Sequence, residues 1–313
     1  MSIHVIRCKN RQEWLKARQA GIGSSEVATI LGVNPYETPY QLWRRKKGLD
    51  APKEENFFMK AGHYLEEAVA KFYADETGVE IIKRSAEDFL IVNDSRDYLR
   101  VSPDRTFWLP NMPHSNDNKG IVECKTTQMS IDEDSIPQHW FCQLQYQLGT
   151  AEMYQGALAW LTQGREFGYK NYDLDRDFYG FMLEECDKFY IDYIIGNAEP
   201  PSISEEDVML RSPRSAAGKS LEATEELSDL IFDLKEANKR KKTAEDEAKE
   251  IAEKIKVFMG DAEALTYKGL TLCTWKSCKD AQKFDSDSFS TAHPDLVKKF
   301  TKSVPGQRRF LIK

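Results

Sequence analysis

Apolar positions along the chain follow two rhythms, one of period two and one near 3.6 residues. Short alternating or solidly apolar runs predict strands near Glu80–Lys83, Phe89–Asn93, Tyr98–Val101, Ile121–Thr126, Gly156–Leu161 and Tyr169–Asp173. Helical spacing predicts helices over Gln12–Arg18, stopped near Gly21, and over Glu26–Leu31, closed by Gly32 with Ser24 and Ser25 placed as caps. Further helices are expected over Pro39–Lys47, Phe57–Thr77 (ended by Gly78), Pro137–Thr150 and Asp175–Ile195. In the Phe57–Thr77 segment Leu65, Val69 and Phe72 make an apolar stripe, and Glu66 leans over its edge. Helices, a short mixed sheet and helices again describe an α/β (α+β) core.

Gly196-Asn197-Ala198-Glu199-Pro200-Pro201 breaks this pattern. The expected organisation is a domain over 1–205, a linker over 206–220, a long helix over 221–260 and a small β-containing region over 261–313. In the long helix Leu227, Ile231, Leu234 and Asn238, then Ala248, Ile251, Ile255 and Phe258, recur by threes and fours, a coiled-coil-like stripe. Residues 261–313 carry no chemical motif.

The polar residues that punctuate the strands change the picture. Asp104 follows the strand that stops at Pro103, and Glu123 and Lys125 flank Cys124 in another strand. Side chains at i and i+2 of a strand share a face, so Glu123 and Lys125 point into one pocket while Cys124 points away. The Tyr98–Val101 and Ile121–Thr126 strands, joined through the turn-rich Pro110–Asn118, are expected to form a hairpin with the acids side by side. Hydrolysis of a phosphodiester needs a hard divalent cation on oxygen ligands, which Asp104, Glu123 and Glu66 supply. It also needs a cation that positions the attacking water and offsets charge in the transition state, which suits Lys125.

Composition narrows the classes further. A chain of 313 residues with 41% hydrophobic and 30% charged side chains is that of a globular protein with ample core. No apolar run approaches the roughly 20 residues of a membrane span, and the amino terminus lacks a secretory apolar segment, so a cytoplasmic location is expected. Six scattered cysteines without a Cys-x-x-Cys pair point to neither a zinc ribbon, a disulfide framework nor an iron–sulfur cluster. Net charge is −7, which argues against indiscriminate coating of DNA, yet residues 1–50 hold nine basic and four acidic side chains, a local +5. Within it, Arg44-Arg45-Lys46-Lys47 reads either as a solvated helix end or as a DNA contact, the former being the commoner.

Five ordered blocks carry a family resemblance: Trp14-x-x-x-Arg18-x-x-Gly21-Ile22-Gly23-Ser24-Ser25-Glu26, Gly62-x-x-x-Glu66, Ser102-Pro103-Asp104, Glu123-Cys124-Lys125 and Gln143-Leu144-Gln145-Tyr146. Over residues 10–200 the chain resembles the phage lambda-type (YqaJ-like) recombination exonucleases of the PD-(D/E)xK nuclease superfamily. The resemblance implies a restriction-endonuclease-like mixed sheet core flanked by helices. It implies Mg²⁺, with Mn²⁺ as substitute, held by Glu66, Asp104, Glu123 and the Cys124 carbonyl, with Lys125 assisting the water. It further implies that Arg18, Ser24 and Ser25 hold a 5′-terminal phosphate and that Gln143 contacts the substrate or a metal-bound water; the plain alternative for Gln143, Gln145 and Gln147 is a polar helix face. The implied activity is 5′-to-3′ digestion of one strand of linear duplex DNA, leaving 3′ overhangs for a single-strand annealing protein, by a homotrimer. A site-specific endonuclease, a nuclease of other polarity and an inactive DNA-end-binding protein remain open alternatives.

Overall fold

The computed structural model describes residues 2–51, 56–82, 88–304, 306 and 308–312. Lys83, expected at the end of one strand, lies outside them. The chain divides into two compact units, Met1–Arg211 and Ser212–Lys313.

The first unit opens with β1 (Ile3–Cys8) and α1 (Arg11–Gln19), where the Asn10 side chain accepts from the Glu13 amide as N-cap. Then come β2 (Ile22–Gly23), α2 (Ser24–Ile30) and α3 (Pro39–Lys46), the last opened by a Thr38–Gln41 capping box with proline in its first turn. The helix α4 (Phe57–Thr77) is capped by Asn56 and stopped by Gly78, whose φ of 72° a side chain would disfavour. After it follow β3 (Glu80–Ile82), β4 (Asp88–Asn93), β5 (Leu99–Val101), β6 (Arg105–Trp108), β7 (Lys119–Thr127), α5 (Gln138–Thr150), β8 (Gln155–Thr162), β9 (Glu166–Asp173), α6 (Arg176–Phe189) and α7 (Glu205–Arg211).

Five strands form a mixed sheet in the order β3-β6-β7-β8-β9. Only β7 and β8 run parallel, and α5 is the crossover that such a pair requires. Both faces are covered, so β8 is apolar on each, and β7 is apolar except where Glu123 and Lys125 meet α5. On one face α5 packs Leu144 and Leu148 over Ile121 and Leu158, backed by α2 and α6. On the other, α4 lays Val69, Ala70 and Tyr73 over Val122, Ala157 and Ala159. A second sheet, β1-β4-β5-β2, carries the amino-terminal residues. The expected mixed sheet core flanked by helices is present, and among the described residues no helix is long and apolar enough to cross a membrane.

Several local expectations are corrected. The strand at Tyr98–Val101 does not pair with the Ile121–Thr126 strand: β5 pairs with β4 and β2, in the second sheet. The hairpin partner of β7 is β6, in register Arg105↔Val122. Pro103 has no N–H for a ladder, so the chain leaves one sheet there and enters the other two residues later. The apolar stripe of α4 is also turned by one position. Tyr73 is inside and bonds Asn171 Oδ1 at 2.9 Å, whereas Phe72 is 44% exposed and rests on Phe167. That rotation brings Glu66, four residues before Ala70, onto the inner face. Neither Ser24 nor Ser25 is the cap of α2. Gly23 is the N-cap, and its amide donates to Glu26 Oε2 at 2.8 Å.

The basic cluster of α3 is internal bracing rather than a solvated end. Arg45 and Lys46 reach Glu26 at 2.9 and 2.7 Å, Arg44 is forked on Asp50, and Lys47 donates to the Ile194 carbonyl at 2.7 Å. Helix α6 widens to π geometry over Tyr190–Ile195 before Gly196 ends it. The stretch from 206, read as a linker, begins with α7, whose buried Asp207 accepts from Thr38 Oγ1 at 2.7 Å.

In the second unit α8 (Glu225–Met259) is capped by Thr224 and closed at Gly260. Its expected stripe faces solvent for most of its length, with Leu227 52% and Phe258 78% exposed, while Met259 is buried beside Cys273. A hairpin of β10 (Ala264–Tyr267) and β11 (Leu270–Thr274) turns at Lys268 and Gly269, both at positive φ. Two short helices, α9 (Ser286–Ala292) and α10 (Pro294–Phe300), follow.

Candidate active site

Asp104 stands where the two sheets meet, one residue before β6. The register of β6 on β7 carries it beside Glu123, and its Oδ2 accepts from the Cys124 amide at 2.9 Å. The acids are therefore neighbours as expected, through β6 instead of β5. Burial pushes the Asp104 carboxyl well above the ordinary carboxylate range, and the charges of Glu123 and Glu66 push it further. Burial likewise raises the Cys124 thiol, whose side chain points into the α4 layer and away from the acids.

Glu123 is 2% exposed and held by three donors. Its Oε1 accepts from Lys125 Nζ at 2.7 Å and Gln143 Nε2 at 2.5 Å, and its Oε2 from Gln147 Nε2 at 2.8 Å. Lys125 Nζ also donates to Gln143 Oε1 at 2.8 Å, so the strand pair and the first inward glutamine of α5 close a ring. The reason is geometric: Glu123 and Lys125 face the α5 layer, and Gln143 and Gln147 lie one turn apart on the helix side that meets them.

Arg18, Ser24 and Ser25 come together at the start of α2. The Arg18 guanidinium donates to Ser25 Oγ at 2.5 Å and lies over the Trp14 ring, 5.1 Å from its centre. Burial lowers the Arg18 pKa, with Glu26 opposing that shift. Glycine at 23 has a steric cause, because a Cβ there would come within 3.2 Å of Arg18 Nε. A cleft of about 450 Å³ is lined by Arg18, Ser24, Glu66, Asp104 and Gln143 among others, so Arg18 and Ser24 open onto the same space as Glu66 and Asp104.

The amino-acid sequence over residues 13–154 matches the model of the YqaJ-like viral recombinase domain. Over that segment the chain is similar to a YqaJ-like viral recombinase domain. Over 318 aligned residues the chain is 26% identical to the uncharacterized protein YqaJ of Bacillus subtilis (strain 168), covering 97% of this chain and 94% of that one. Among solved structures it is similar to an alkaline exonuclease (LHK-Exo) from Laribacter hongkongensis, at 17% identity and a TM-score of 0.45 over 59% of this chain and 93% of that one. It is also similar to a phage-related exonuclease from Haemophilus somnus 129PT, at 13% identity and a TM-score of 0.38 over 56% and 95%.

Within the YqaJ-like domain, residues not singled out from sequence share the cleft. Arg105 places Nη1 3.6 Å from Glu66 Oε2, and His63 Nδ1 sits 3.0 Å from Glu66 Oε1. Both signals were readable: an arginine directly after the aspartate, and a histidine one helical turn before the glutamate. The polar-face reading of the glutamines is overturned for two of them. Gln145 is buried and bonds the Asp173 carbonyl and the Asp175 amide, and Gln147 is buried against Glu123 and Ser24.

The donor set fits a hard divalent cation. Glu66, Asp104 and Glu123 offer only oxygens, and the Asp104 carboxyl, raised first by burial and then by the charges of Glu123 and Glu66, is one whose ionised form a cation would favour. Among the described residues no three ligating side chains already form a finished cage. The Glu123 oxygens are engaged by Lys125, Gln143 and Gln147, and Asp104 by a backbone amide.

Proposed function

We propose that the YqaJ-like domain is a magnesium-dependent exonuclease that digests linear duplex DNA from the 5′ end and leaves 3′ single-stranded overhangs for an annealing partner. The observation that carries this reading is the shared cleft, which joins an acid cluster to a separate basic and hydroxyl pocket. Glu66, Asp104, Glu123 and the Cys124 carbonyl would hold Mg²⁺ or Mn²⁺, which supplies polarisation of the phosphoryl oxygen and acidification of water. Lys125, fixed by Glu123 and Gln143, directs its ammonium at the developing negative charge and at the attacking water. Gln143, on the cleft wall, orients the Lys125 ammonium and offers its amide to the substrate. Arg18 with Ser24 and Ser25 grips a terminal phosphate, a contact for which an internal cutter has no use.

The test is digestion of end-labelled linear duplexes against a closed circle, with Mg²⁺, Mn²⁺, Ca²⁺ or chelator. Cutting of linear DNA alone, in Mg²⁺ or Mn²⁺ and from the 5′ end, is expected, with calcium supporting binding without cleavage because its larger shell misplaces the water. Full activity in chelator, or nicking of the circle, would remove the reading.

A further inference from the structure

The two halves of the cleft are joined beneath its floor by one side chain. Gln147 is 1% exposed, and its single Nε2 makes both links: 2.8 Å to Glu123 Oε2 and 3.2 Å to Ser24 Oγ. A primary amide nitrogen has two hydrogens, so one goes to each partner. The orientation of the amide is not arbitrary. Glu123 as a carboxylate only accepts, so the nitrogen must face it, and the amide oxygen is turned away. That oxygen, Oε1, is buried without a hydrogen-bond partner among the described residues. Packing alone does not explain such an atom, since methionine fills a similar volume without leaving a polar group unpaired. What the amide contributes is its pair of N–H groups.

We propose that Gln147 is a positioning residue that couples the terminal-phosphate pocket to Glu123, so that an occupied pocket firms the cutting site. This rests on the end-phosphate reading given above. Ser24 lines the cleft, and by accepting from Gln147 its hydroxyl has its own hydrogen left to donate into that space. A phosphate oxygen that accepts this hydrogen makes Ser24 Oγ a better acceptor, which tightens its bond to Gln147 through hydrogen-bond cooperativity. The amide is then held against Glu123 Oε2, opposite the side held by Lys125 and Gln143. Without that polarisation the 3.2 Å bond to Ser24 is the weaker of the amide's two anchors, beside the 2.8 Å bond to Glu123. The site would thus cut best when an end has been gripped.

The experiment compares wild type, Gln147→Met, Ser24→Ala and the double variant in two assays. The first, in chelator, is fluorescence anisotropy of a duplex bearing a 5′-phosphate or a 5′-hydroxyl, and needs no activity. The second is kcat and KM on the same duplexes with Mg²⁺. Ser24→Ala is expected to reduce the phosphate-over-hydroxyl binding ratio by about tenfold, the worth of one hydrogen bond to a charged group, Gln147→Met by a smaller factor, and the double variant no more than Ser24→Ala. Both single variants should also lower kcat on phosphorylated ends more than on hydroxyl ends. A merely structural glutamine would instead lower melting temperature and harm both duplexes alike. Should Gln147→Met fail to give a cooperative melt, Ser24→Ala decides: an effect on binding with kcat intact overturns the coupling. An unchanged ratio in Gln147→Met, or additive losses in the double variant, overturns it as well, while wild-type cutting and phosphate preference keep the nuclease reading intact. A wild-type chain that cuts neither duplex overturns both.

Discussion

On the proposed reading, replacing Arg18 by alanine should separate end recognition from chemistry. Its guanidinium meets Ser25 at 2.5 Å and makes no hydrogen bond to the Glu123–Lys125–Gln143 ring among the described residues. A charge-assisted contact of this kind with a phosphate contributes about 1.5–3 kcal/mol, or roughly 10- to 150-fold in rate or affinity. The cost to the fold is smaller. Glu26 keeps its ion pairs with Lys46 at 2.7 Å and Arg45 at 2.9 Å, and Trp14 stays covered by Arg11 at 3.9 Å. Loss of one long cation–π contact, 5.1 Å from the centre of the buried Trp14 ring, is worth about 1–2 kcal/mol, a drop of roughly 2–8 °C in melting temperature for a unit of this size. Initial rates on end-labelled duplexes with 5′-phosphate and with 5′-hydroxyl, alongside a thermal melt, test this. The variant should lose the larger factor on phosphorylated ends only. Equal losses on both duplexes, tracking a lowered melting temperature, would show that Arg18 only braces α1.

Lys125→Met and Glu123→Gln should each cut rates by about 100-fold or more with far-ultraviolet circular dichroism unchanged, because the transition-state charge then lacks its ammonium or its carboxylate anchor. Asp104→Asn should also abolish cutting, yet raise the melting temperature in chelator near pH 8. The folded chain holds a proton on Asp104 that the unfolded chain releases, so stability falls as pH climbs from the ordinary carboxylate value through the raised one, and the neutral amide escapes that loss. Melts of both proteins from pH 4 to 8 should show the gap widening with pH; a constant gap refutes the burial argument. Lys46→Met leaves Glu26, 4% exposed at its side chain, with Arg45 and the Gly23 amide as its remaining close partners. About 3 kcal/mol of lost stability is expected by denaturant titration, and less than about 0.5 kcal/mol would mean the pair is solvated.

Much of the site was legible because its signals are local. Alternation across Glu123-Cys124-Lys125 dictates which two side chains share a face, and the structure places Cys124 opposite them. The helical repeat carrying Gln143 likewise put it within reach of β7. What could not be read was which strand pairs with which. Tyr98–Val101 looks no less strand-like than Arg105–Trp108, and the choice between them is made by sheet packing across residues far apart in sequence. The stripe of α4 failed for a related reason. Phe72 is more apolar than Tyr73, but tyrosine is taken inside because Asn171 on β9 satisfies its hydroxyl. Arg44–Lys47 was ambiguous until Glu26, Asp50 and the carbonyls after α6 were in place to receive it.

Asp104 belongs to no strand; it hangs on the short span from Val101, which ends β5, to Arg105, which begins β6. Its position is therefore a property of two sheets at once, and each must be intact to define it. The second sheet is the smaller, with β1 at its edge zipped to β4 from Ile3↔Asn93 to Cys8↔Asp88. Edge strands fray first, and fraying there would slacken β4, then β5, then the tether of the aspartate, while the five-stranded sheet and its helices stay whole. Cutting should accordingly fail at lower urea than helical signal does, and a tag that crowds the first residues should blunt activity at a distance. In such a molecule, enzymatic rate doubles as a gauge of how firmly the amino-terminal edge is fastened.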